Sequence, residues 1–86
     1  MRISVTQDDI DLGKPGWCTE CPIVLAVKRA TGETHCHVFG RYMYIDRVYW
    51  LPDEALSFIL RFDSRRPVEP FEFEASEAQL HSEVAR

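Results

Sequence analysis

The chain has 86 residues, 45% apolar and 28% charged, with a formal net charge of −4. Those figures describe one small globular domain, near the lower size at which a single hydrophobic core suffices. The acidic balance argues against a general phosphate-binding surface, which needs a basic field, and no apolar run reaches the length of a membrane span.

The N-terminus meets Asp8 and Asp9 too early to read as a signal peptide. Three cysteines are an odd number, which does not make a full disulfide framework. Together these features lead to the expectation of a reduced, cytoplasmic protein without a membrane association.

In chain order, Ile3-Ser4-Val5 alternates and predicts a short first strand. Thr6 is a fitting N-cap for one helical turn, with Asp8 and Asp9 in that turn and Gly13 ending it. Lys14-Pro15-Gly16 reads as a loop. The first long helix is expected over residues 22–31. Pro22 suits its first position, Lys28 and Arg29 suit its last turn, and Gly32 stops it. Ile23 to Val27 is apolar all round, which predicts deep burial.

Strands are expected over residues 34–39, 42–45 and 48–51, joined by turns at Gly40-Arg41 and Asp46-Arg47. A second long helix starts at Pro52, with Asp53 and Glu54 at the positive end of its dipole. Ala55, Phe58, Ile59 and Phe62 recur at helical spacing and form its core stripe, and Arg65-Arg66-Pro67 ends it. Phe71-Glu72-Phe73-Glu74-Ala75 alternates strictly and predicts a last strand with one wet face. The order implies an α+β fold: a small antiparallel sheet of about four to five strands with two helices on one face. Residues 1–75 form the domain in this reading, and residues 76–86 a flexible or marginally helical tail. Leu25, Ile59, Phe62, Phe71 and Phe73 are expected to be buried together.

The chemistry-bearing stretch is Trp17-Cys18-Thr19-Glu20-Cys21-Pro22, a CxxC pair at a helix start. A helix N-terminus lowers a thiol's pKa, so a thiol-redox pair is one reading. The residues before it, Asp11 to Gly16, cannot form the buried strand that leads into a thioredoxin-type site. Zinc is another reading, because tetrahedral sites take four N or S ligands and Cys18, Cys21, His35 and His37 supply such a set. In a strand His35 and His37 share one face and Cys36 takes the other. The plain alternative leaves both histidines in solvent and Cys36 as a small core residue. The carboxylate pairs Asp8/Asp9, Asp53/Glu54 and Glu72/Glu74 read as first-turn acids or a solvated strand face, and no phosphate loop or nucleophile elbow is present.

Phe39, Tyr42, Tyr44, Tyr49 and Trp50 crowd the strand region. Met43 and Ile45 are the natural core pair, which turns Tyr42 and Tyr44 outward. Tyrosine and arginine are enriched at protein interfaces, so Arg41, Tyr42, Tyr44 and Arg47 form a candidate partner surface. The alternative is that the tyrosines simply pair across strands. Glu72 and Glu74 offer a second, acidic surface for a basic partner. Direct nucleic-acid binding fits the acidic balance poorly.

Ser4 to Ile10, the Cys18 to Ala26 stretch with its CxxCPxxLA helix start, and Pro67-Val68-Glu69-Pro70-Phe71-Glu72-Phe73 together resemble a family of small uncharacterised proteins encoded by bacteriophages, prophages and their hosts. The resemblance carries no catalytic residues. Its context implies a non-catalytic protein that binds another protein, in its narrowest form an anti-CRISPR-like inhibitor of a host defence ribonucleoprotein. A small zinc-stabilised interaction module is the alternative, and a thiol-redox protein the third.

Overall fold

The computed structural model describes residues 1–78, which fold as β1 (Arg2–Val5), α1 (Gln7–Leu12), α2 (Pro22–Thr31), β2 (His37–Phe39), β3 (Tyr42–Tyr44), β4 (Val48–Trp50), α3 (Asp53–Asp63), β5 (Phe71–Glu74) and β6 (Ser76–Glu77). The class is α+β, with two antiparallel sheets. β1 pairs with β5, and β2-β3-β4-β6 form a four-stranded sheet. Among the described residues no helix is long and apolar enough to cross a membrane.

Local chemistry accounts for most boundaries. At α1, the Thr6 hydroxyl accepts from the Asp9 backbone N–H, and the Asp9 carboxylate accepts from the Thr6 N–H at 2.9 Å, a complete capping box. Pro22 opens α2, and Gly32, at φ 77°, closes it in the left-handed region. Gly40, at φ 62°, makes the β2–β3 turn. Gly13 is required for a different reason. A Cβ there would stand 2.6 Å from Pro22 Cδ and 2.9 Å from its nitrogen. Gly13→Ala therefore wedges the end of α1 off the start of α2, with an expected cost of about 1–2 kcal/mol. A lower urea midpoint is the readout; an unchanged one would mean that this approach tolerates a methyl group.

The expected single sheet is divided. One extended stretch, Phe71 to Glu77, pairs first with β1 and then with β4. The Ala75 N–H donates to the Met1 carbonyl, and the Ala78 N–H donates to the Val48 carbonyl. The tail expected from residue 76 does not include Ser76 and Glu77, which hold a strand register against Trp50 and Tyr49. The rest of that tail, residues 79–86, lies outside the described residues.

The core gathers Ile3, Val5, Ile23, Val24, Val27, Met43, Leu51, Phe58, Phe62 and Phe73. Phe58 stacks on Phe71 at 4.8 Å, tying α3 to β5. Three expectations need correction. Leu25, Ile59 and Phe71 are only half-buried; Ile59 and Phe71 pack against the core, and Leu25 is not part of the core cluster. α2 presents Ile23, Val24, Ala26 and Val27 to the core, and Leu25 falls on the remaining arc.

Candidate functional site

Alternation along three short strands builds an aromatic surface on the outer side of the four-stranded sheet. Val38 and Met43 point into the core. Their neighbours must then face out: His37 and Phe39 on β2, Tyr42 and Tyr44 on β3, Val48 and Trp50 on β4. Register places Phe39, Tyr42 and Trp50 in one row across the sheet, and His37, Tyr44 and Val48 in the next.

The rings hold one another in place. His37 and Tyr44 stack at 5.0 Å, and Tyr42 meets Trp50 edge-on at 5.3 Å. The Arg41 guanidinium lies 4.9 Å from the Trp50 ring centre and donates to Asp53 Oδ1 at 2.6 Å. Yet the face is open to solvent: Phe39 is 71% exposed and Trp50 41%. Arg47, at its margin, pairs with Glu77 Oε2 at 3.1 Å.

Of the residues singled out from sequence, Arg41, Tyr42 and Tyr44 therefore share one surface, with Arg47 at its edge. Glu72 and Glu74 do not join it. They stand on β5 in the other sheet, where Arg2 on β1 binds Glu72 at 3.1 Å and the Met1 amino group binds Glu74 at 2.7 Å. The Met1 contact also holds the Glu74 carboxyl below its usual range.

Sequence reasoning left out Phe39 and Trp50 as part of this surface. The signal was available for Phe39, which shares strand parity with His37 and follows the core residue Val38. It also left out a cleft beside the edge of β2, with a volume of about 400 Å³. The CxxC loop forms one wall, because the Cys18 carbonyl accepts from the Val38 N–H at 2.9 Å. The outer side of α3, with Leu56, Ile59 and Leu60, forms another. Asp63 joins the two walls by accepting from the Gly16 N–H at 2.9 Å. Trp17 and Leu60, 55% and 69% exposed, stand at its mouth. These contacts span long sequence separations, so no local pattern announces them.

The cysteines are free thiols; Cys18 is exposed, and Cys21 and Cys36 are buried. Burial pushes the Cys21 thiol up, against backbone hydrogen bonds at the start of α2 that favour the thiolate. Burial, with Cys21 nearby, pushes Cys36 up to about 11. Both are protonated at neutral pH, so the start of α2 does not activate Cys21. The four ligands of the zinc reading are not brought together either. His37 stacks on Tyr44 on the sheet's outer face, whereas Cys18 lies along the strand edge. His35 is exposed beside the Thr34 hydroxyl. Among the described residues no group of three or more His, Cys, Asp or Glu side chains is placed to hold a metal ion. No protein-family model, curated protein or solved structure matches this chain.

Proposed function

We propose that the protein acts by binding another protein through the outer face of its four-stranded sheet. The observation that carries this reading is the row Phe39, Tyr42 and Trp50, an aromatic surface left open to water. Contiguous exposed apolar patches mark interaction sites. Tyr42 and Trp50, already held against each other, lose little freedom on binding, which favours affinity. The local charge argues for a protein over a nucleic acid. Arg41 and Arg47 are each neutralised by a carboxylate, leaving no surplus for phosphates.

The narrower reading follows from the resemblance to phage-encoded proteins. On it, the partner is a component of a host defence complex and binding blocks that complex.

The test is capture of a partner from bacterial lysate, followed by affinity measurement with paired variants. Phe39→Ala with Tyr44→Ala should weaken binding by about tenfold or more, as expected for interface aromatics. Thermal melting should shift little, because both side chains are exposed. Glu72→Gln with Glu74→Gln should leave affinity unchanged. Full affinity in the aromatic variant, with salt-dependent loss in the glutamate variant, would move the interface to β5.

A further inference from the structure

Among the described residues, most lysines and arginines are matched by a carboxylate. Arg2, Lys14, Arg29, Arg41 and Arg47 pair with Glu72, Glu20, Asp9, Asp53 and Glu77. Arg61, Arg65 and Arg66 form no ion pair among the described residues, and they cluster at the end of α3. The other arginines among the described residues are each paired with a carboxylate, so the unpaired arginines gather here.

The backbone supplies a second observation. α3 ends in a Schellman motif, in which the Arg65 N–H donates to the Phe62 carbonyl and the Arg66 N–H to the Arg61 carbonyl. This places Arg65 at φ 61°, in the left-handed region that glycine occupies freely and a side chain does not. The position with the strongest local reason to be glycine holds an arginine.

The third observation is what lies beneath. Arg65 and Arg66 border an open groove of about 400 Å³ whose walls include Ile10, Pro15, Phe62 and Val68. Cationic forks above an apolar floor match a chain that carries carboxylates and aliphatic side chains together. They match a nucleic acid poorly. The net charge is −4, and the one aromatic ring in the groove, Phe62, is 9% exposed and offers no stacking face.

We infer that this groove docks an acidic, aliphatic-bearing segment of a partner protein, held by Arg65 and Arg66. The inference does not depend on the sheet face and uses other elements. Fluorescence anisotropy tests it with a labelled peptide of alternating Glu and Leu, its Gln/Leu counterpart, and a labelled oligo-dT strand. The Glu/Leu peptide should bind, more weakly as salt rises. The Gln/Leu peptide should bind about tenfold or more weakly. Arg65→Gly with Arg66→Gln should cost the Glu/Leu peptide a similar factor. Arg65→Gly alone should weaken binding while melting no lower than the native chain, because it removes a strained residue.

No binding of the Glu/Leu peptide, or equal binding of the Gln/Leu peptide, overturns the inference. So does unchanged affinity in the folded double variant. Tighter binding of oligo-dT with the same arginine dependence would replace the acidic segment by a nucleic acid. The comparison of the two peptides on the native chain decides even where the double variant does not fold.

Discussion

Phe73→Ala is expected to remove about 3–5 kcal/mol of folding stability, the range for a fully buried phenylalanine cut back to a methyl. A domain of this size holds only about 5–15 kcal/mol in total, so the loss leaves it marginal. Phe73 is 0% exposed and opposes Ile3, also 0% exposed, across the β1–β5 ladder. Its ring lies 5.5 Å from Phe71, which stacks at 4.8 Å on Phe58 of α3. Through Phe71 the side chain links the two-stranded ribbon to the helix, and its loss leaves a cavity inside the core. Phe71→Ala and Phe62→Ala should cost less, because Phe71 is half-buried and Phe62 lies at the core margin. Urea denaturation of the three variants measures this order. A Phe73→Ala midpoint close to the native one, or above that of Phe71→Ala, would contradict this account of the core.

The helices were legible because their signals are local. Thr6 with Asp9, Pro22 with Gly32, and the Ala55-Phe58-Phe62 stripe each act within a turn or along one helix face. The division of the sheet was not legible. Phe71 to Glu77 reads as one extended run, and a period of two fixes which face is wet but not which strand lies alongside. The same limit hid the fate of Glu72 and Glu74, since their cations come from the first two residues of the chain. Helical spacing also treats Ile59 as equal to Phe58 and Phe62. Tertiary packing instead leaves it half-buried, lining the cleft with Leu56 and Leu60. Of the proposed partner surface, the outward turn of Tyr42 and Tyr44 followed from the burial of Met43, and Arg41 entered because arginine is enriched at interfaces. The surface became a row only once register set Phe39 and Trp50 on either side of Tyr42.

Arg29→Met should cost about 2–3 kcal/mol at neutral pH, and the deficit should shrink as the solution is acidified. Asp9 is 4% exposed, and its carboxylate accepts from Arg29 Nη1 at 2.6 Å and from Thr6 at both its N–H and hydroxyl. Arg29 Nη2 also donates to the Ser4 carbonyl at 2.9 Å, so one guanidinium ties the end of α2 to β1 and α1. Burial pushes the Asp9 carboxyl up, but the Arg29 and Thr6 hydrogen bonds outweigh it and hold the group below the usual 3.8. Breaking a fully buried pair costs about 3–5 kcal/mol and an exposed one about 0–1; Arg29 is half in water, which sets the intermediate figure. The sign of the pH dependence follows from the lowered pKa. The folded state binds its proton less readily than the unfolded chain, so the stabilisation is complete above the unfolded pKa and is lost as pH falls through the folded one. In Arg29→Met the buried carboxyl has lost its cation and protonates more readily, so acid relieves the variant while it weakens the native chain. Urea midpoints taken from about pH 7 down to about pH 3 should therefore converge. Arg29→Lys, which keeps the charge but not the fork to Ser4, should fall between the two. A gap that stays constant over that range would mean that Arg29 acts through packing alone and that Asp9 is held by its cap.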